Sequence, residues 1–236
     1  MLFVALGMAL ALGGLTQTLY RRPPAMVPIQ QTESWWITRH EEIVARMRMG
    51  QVDLLLIGDS ITQGWTDEGL RIWDSYYGRR RAVNLGFNSD RTEHVLWRMD
   101  HGEINGIAPK LAVLMIGTNN TGARKDPAKE TAMGIRAILT TLRTRLPDAK
   151  VLLLSVFPRG ASADDPLRQM NDAVNDLLHA YVDNEHVFLL NLNRFFLDEQ
   201  GRLTQDLMPD YLHPNERGYQ VWAEGMEGLI KTLMHE

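Results

Sequence analysis

Ser60, Asp210 and His213 are the residues of this chain whose types and spacing could do chemistry. Ser60 lies in Gly58-Asp59-Ser60-Ile61-Thr62-Gln63-Gly64, directly after the apolar run Leu54-Leu55-Leu56-Ile57. A serine placed just past a buried strand sits on a sharply turned, exposed backbone. About 150 residues later comes Asp210-Tyr211-Leu212-His213-Pro214, where an Asp and a His three apart can share one side of a turn. Together they offer a nucleophile, a general base and a carboxylate to orient the base, the three roles of acyl transfer through serine. The serine is not in a G-x-S-x-G elbow, because Thr62 stands where the second glycine would be.

The elements that must position these residues follow from alternating patterns. Residues 34–49 read as a helix with Trp36, His40, Ile43, Val44 and Met47 on one face, ended by Gly50. Residues 127–145, 166–182 and 215–234 read as further helices, with Pro147 stopping the first and Pro166 suited to the first turn of the second. Between them lie short apolar runs at 52–57, 81–85, 111–116, 151–156 and 187–192, as expected of strands buried on both faces. Such alternation predicts right-handed crossovers and one parallel sheet covered on both sides. Ligands of such sheets bind beyond the carboxyl ends of the strands. Ser60 follows the first strand, Ser89 the second, Asn119 the third and the Asp210/His213 loop the fifth, so the candidates converge on one end.

Composition narrows the class. The 236 residues carry 25 Lys+Arg against 29 Asp+Glu, a net charge of -4, which gives no electrostatic footprint for nucleic acid. The absence of cysteine excludes disulfides, thiolate zinc sites and cysteine nucleophiles. The seven His show no metal-binding spacing, and no metal is expected. Positions 1–20 hold no charged side chain and are followed by Arg21-Arg22-Pro23-Pro24. The segment reads as a signal or membrane anchor, with residues 1–30 set apart as this segment plus a linker, and 31–236 as one domain. Export, to periplasm, medium or membrane surface, is the expected location. The alternative is cytoplasmic, because no Lys or Arg precedes the apolar run and the positive-inside rule read literally keeps the domain in the cytoplasm.

Four segments together resemble the SGNH, or GDSL-type, hydrolase family: Gly58-Asp59-Ser60, Asn84-Leu85-Gly86-Phe87-Asn88-Ser89-Asp90, Gly117-Thr118-Asn119-Asn120, and Asp210-x-x-His213. The stretch from Asp90 to Arg98, with Pro158-Arg159-Gly160, resembles the platelet-activating-factor acetylhydrolase isoform Ib branch. The resemblance implies a three-layer, flavodoxin-like α/β fold with a five-stranded parallel sheet. It implies a cofactor-free serine esterase of short, chiefly acetyl, esters, with O-acetylated carbohydrate as one substrate class. A lysophospholipase or thioesterase with a longer acyl pocket is the alternative, and a non-catalytic glycan-binding module a third reading. The resemblance makes Ser60 the nucleophile, His213 the base, Asp210 its partner, and Ser60, Ser89 and Asn119 the oxyanion donors. Where the family has a glycine before an Asp, this chain has Ser89, with Gly86 the less favoured stand-in. The backbone N–H survives, but Ser89 must take a conformation that glycine enters more easily.

The neighbouring residues have simpler readings. Asp59 is expected to bond loop backbone, and Asn84 and Asn88 to fix loops. Asn120 competes with Asn119. Arg91 and Arg159 are expected in salt-bridged loops, with substrate contact the alternative for each. His40, His94, His101, His179 and His186 read as surface or helix-packing groups, and the methionines as core filler. Trp65 is a candidate pocket wall, and with Phe87 it weighs against a long acyl pocket. The ester substrate is the expected partner, with a membrane tether and self-association left open.

Overall fold

The computed structural model describes residues 21–236. The apolar segment read as a signal or anchor lies outside them. Among the described residues no helix is long and apolar enough to cross a membrane.

Five parallel strands form one sheet: β1 Leu54–Gly58, β2 Ala82–Gly86, β3 Leu111–Met115, β4 Lys150–Leu154 and β5 Val187–Leu190. Their order is β2-β1-β3-β4-β5. β1 is therefore an interior strand, with Ile57 level with Leu85 on one side and Leu114 on the other. All five residues of β1 and of β3 are buried, which is why these strands read as unbroken apolar runs rather than alternating ones.

Among the described residues seven α-helices accompany the sheet: α1 Ser34–Arg48, α2 Ser60–Gln63, α3 Leu70–Tyr76, α4 Thr92–Arg98, α5 Ala128–Arg145, α6 Pro166–Leu178 and α7 Glu216–Met234. Alternate strand residues divide the core. Leu55, Ile57, Ala112 and Leu114 pack with Trp36 and Ile43 of α1, Val95 of α4, Ile135 and Ile138 of α5 and Val174 of α6. Leu54, Leu56, Val113 and Met115 pack with Ile72 of α3 and Trp222, Met226 and Ile230 of α7. The result is a three-layer α/β sandwich. The four longer helices end within a few residues of where their periodicity and prolines place them. The short α2, α3 and α4 escape a reading based on period, since four to seven residues hold at most two turns.

The proline-rich stretch read as a linker is docked on the domain. Ala25 is fully buried, and its carbonyl accepts from the Thr92 hydroxyl at 2.8 Å. Ile29 N–H donates to the Glu93 carbonyl at 3.3 Å.

Candidate active site

β1 delivers Ser60 to the carboxyl end of the sheet. Its last residue, Gly58, has no room for a side chain, because a Cβ there would overlap the Thr62 hydroxyl and the Met115 carbonyl. The chain turns at Asp59, whose Oδ1 accepts from Ile61 N–H at 3.0 Å and caps α2. The turn is held from the α7 side by the Tyr219 hydroxyl, which donates to the Ile61 carbonyl at 2.7 Å.

The loop before α7 brings His213 to Ser60. Ser60 Oγ lies 2.9 Å from His213 Nε2, and His213 Nδ1 lies 2.6 Å from Asp210 Oδ2. Asp210 also organises its own loop, with Oδ1 accepting from Leu212 N–H at 3.0 Å and His213 N–H at 2.7 Å. Burial raises the Asp210 pKa, but the bonds from His213 and Leu212 outweigh it and leave the carboxyl below its ordinary value. A carboxylate on Nδ1 places the proton there and leaves Nε2 free to accept from the serine. The His213 and Asp210 side chains are 43% and 55% exposed, so the pair is about half open to solvent.

The loops after β2 and β3 meet beside Ser60. Asn119 Nδ2 donates to the Asp90 carbonyl at 3.0 Å. That bond fixes the amide and leaves its second N–H for a ligand. Ser89, the residue before Asp90, is exposed and sits at φ +62°. The serine thus takes the left-handed conformation that the sequence made doubtful. Neither Ser89 N–H nor Ser60 N–H donates to an acceptor within the described residues. Gly86, the stand-in for Ser89, is excluded as a donor: its N–H is taken by Asn84 Oδ1 at 2.8 Å. A Cβ on Gly86 would strike the backbone of Gln63, so its absence lets β2 and α2 approach.

Asn120 does not share the role of Asn119. It is fully buried, with Oδ1 accepting from Thr92 N–H at 3.0 Å and Nδ2 donating to Asp126 at 3.0 Å. Asn84 fixes the loops as expected, donating to the Gln63 carbonyl at 3.0 Å. Asn88 does so through its backbone N–H, which donates to Gln63 Oε1 at 2.8 Å. Arg91 pairs with Glu93 at 2.6 Å. Among the described residues Arg159 forms no ion pair, and it instead donates to the Thr118 carbonyl at 3.0 Å. Trp65 is not a pocket wall. It is fully buried among Tyr77, Tyr219 and Trp222, with ring centroids 5.3, 4.6 and 4.9 Å away. Phe87 is equally buried, beneath the Arg98 guanidinium. Neither residue therefore limits the acyl group.

Behind the loops after β2 and β3 lies a charged network that local patterns do not reveal. The fully buried Asp90 carboxylate accepts from Trp36 Nε1 at 2.7 Å, Gln31 Nε2 at 2.7 Å and Arg98 Nε at 2.9 Å. Arg98 also pairs with Glu103. Burial pushes the Asp90 carboxyl up to about 6, against the pull of Arg98. Asp59, fully buried beside the serine, is pushed up to about 7, chiefly by burial. Among the described residues no group of three or more His, Asp or Glu is placed to hold a metal ion.

Comparison with known proteins gives the site its family. The GDSL-like lipase/acylhydrolase profile matches residues 56–221. The chain is 34% identical over 218 residues to platelet-activating factor acetylhydrolase IB subunit alpha2 of Rattus norvegicus, covering 90% of this chain and 93% of that protein. Its fold matches a GDSL-like lipase of Bacteroides thetaiotaomicron with TM-score 0.67 at 19% identity, covering 83% of this chain and 97% of the other. It also matches an acetylxylan esterase of Geobacillus stearothermophilus with TM-score 0.60 at 17% identity, covering 78% and 94%. The chain is an ester-hydrolysing member of the GDSL-like lipase/acylhydrolase family.

Proposed function

We propose that the protein hydrolyses short-chain acyl esters, acetyl first, through an acyl-enzyme on Ser60. The observation that carries this reading is the continuous chain Ser60 Oγ–His213 Nε2–His213 Nδ1–Asp210 Oδ2, with links of 2.9 and 2.6 Å. Ser60 Oγ attacks the ester carbonyl carbon while His213 Nε2 takes its proton. The oxyanion that forms is met by the N–H of Ser60, the N–H of Ser89 and the free amide N–H of Asn119. Collapse expels the alcohol, which receives the proton from His213. Water then repeats the attack on the acyl-serine, and Ser60 leaves with its proton restored.

Support for a short acyl group comes from the acetylhydrolase relatives. The open face of His213 and Asp210 leaves room for a bulky alcohol, including an O-acetylated carbohydrate. Hydrolysis of p-nitrophenyl acetate, butyrate, octanoate and palmitate by wild type and Ser60→Ala tests the proposal. Acetate should be preferred, and the variant should be inactive. Preference for octanoate or palmitate would instead support the longer-chain lysophospholipase or thioesterase reading. Release of acetate from acetylated xylan tests the carbohydrate substrate separately.

A further inference from the structure

Arg159 follows β4 in the turn Pro158-Arg159-Gly160, and three loops of the site meet around it. Its Nη1 donates to the carbonyl and hydroxyl of Thr118, at 3.0 and 3.2 Å, directly before Asn119. Gly160 N–H donates to the Tyr211 carbonyl at 3.0 Å, joining the same turn to the loop of Asp210 and His213. The guanidinium lies against Gly122, where a Cβ would overlap Nη1. Its field reaches Asp59, next to Ser60. The side chain is thus built into the site, between the Asn119 loop and the triad loop.

Its bonding is incomplete. Asp165, Asp59 and Asp210 are the carboxylates whose charge acts on Arg159, yet none pairs with it. Each has other partners. Asp59 accepts from Ile61 N–H at 3.0 Å, and Asp165 caps α6 through Leu167 and Arg168 N–H at 2.8 and 3.2 Å. Asp210 is engaged by Leu212 and His213. Nε and Nη2 of Arg159 have no acceptor among the described residues. Arg168, close by, contrasts with it: Nε, Nη1 and Nη2 donate to the carbonyls of Arg159, Gly201 and Gly160. Arg91, Arg98 and Arg124 each pair with carboxylates. Half-burial lowers the Arg159 pKa through desolvation. A guanidinium partly stripped of water, with a planar edge unengaged, is a group that an oxyanion would complete.

We infer that Arg159 is a specificity residue, recognising a carboxylate or phosphate carried by the ester substrate. Its planar fork matches either anion in a two-point contact, which an ammonium does not. The inference rests on the acyl-serine reading of the same site. The anion belongs either to the alcohol half or to the acyl half, and two substrate pairs separate them. One pair is 4-acetoxybenzoate and its methyl ester, with the charge on the alcohol. The other is monomethyl and dimethyl glutarate, with the charge on the acyl group.

Each substrate is assayed by pH-stat with wild type, Arg159→Gln and Arg159→Lys, and kcat and KM are determined. In one pair the anionic-to-neutral ratio of kcat/KM should fall about tenfold or more in Arg159→Gln, chiefly through KM, with partial recovery in Arg159→Lys. The pair that responds names the half carrying the anion. Ratios unchanged in both pairs would overturn the inference. So would an equal fall for all four substrates, since that is the signature of an arginine that only ties down the Thr118 loop. Ser60→Ala is run alongside; turnover by that variant would remove the acyl-serine reading itself, whatever the ratios.

Discussion

Ser89→Gly separates the backbone contribution of the Ser89 loop from that of its side chain. Ser89 sits at φ +62°, a conformation that costs a residue with a Cβ about 1–2 kcal/mol and glycine almost nothing. Glycine also loosens the unfolded chain, which offsets about 0.4–1 kcal/mol of that gain. The hydroxyl is exposed and makes no bond within the described residues, so its loss adds little. The variant should therefore be more stable by about 0.5–1 kcal/mol in urea unfolding, or roughly 1–4 °C in thermal unfolding for a domain of this size. Ser89→Ala keeps the strain and should match wild type within about 0.5 kcal/mol. In the proposed mechanism the donor to the oxyanion is the N–H, so kcat on p-nitrophenyl acetate should stay within about threefold in both variants. A glycine variant less stable than wild type would refute the strain argument. A kcat fall beyond about tenfold in both variants would show that the hydroxyl, not the backbone, does the work.

Three other outcomes follow from the same geometry. Asn119→Ala should lower kcat by about 10²–10³-fold with little change in KM, as removal of one oxyanion donor does. Asn120→Ala should act mainly on folding, by about 1–3 kcal/mol, because it leaves Thr92 N–H and Asp126 short of a buried partner; a larger loss of kcat than of stability would reverse the roles assigned to the two asparagines. Asp59→Asn should alter the pH dependence of stability. Burial raises the Asp59 carboxyl from 3.8 to about 7, so the folded state binds more protons than the unfolded one between those values, and wild-type stability falls as pH rises through that window. The asparagine has no such dependence and should gain on wild type by up to about 4 kcal/mol by pH 8, read by urea unfolding at pH 4 and pH 8. A constant difference at the two pH values would contradict the assignment.

The sheet was readable because β1 and β3 are buried on both faces and therefore appear as pure apolar runs. The Ser60–His213–Asp210 contact was readable because Asp210 and His213 lie three residues apart in one turn, and because Ser60 follows a strand buried on both faces. What sequence patterns could not carry was long-range polar pairing. The Asp90 carboxylate joins Gln31, Trp36 and Arg98, and no periodicity links these positions. For the same reason the stretch with Pro23 and Pro24 reads as a linker, while burial of Ala25 and the Thr92 hydroxyl bond dock it. Trp65 follows the serine closely in sequence but turns inward, since α2 directs it into the aromatic cluster of α7. Arg91 and Arg159 looked alike as loop arginines. Only the spatial distribution of carboxylates distinguishes the paired one from the unpaired one.

Covalent capture by a fluorophosphonate, followed by peptide mass mapping, tests the central claim most directly. A single phosphonyl adduct should form on Ser60 in wild type, with parallel loss of p-nitrophenyl acetate hydrolysis. The adduct should be absent in Ser60→Ala and form far more slowly in His213→Ala. An adduct on another serine, or full hydrolysis by unlabelled Ser60→Ala, would contradict the account.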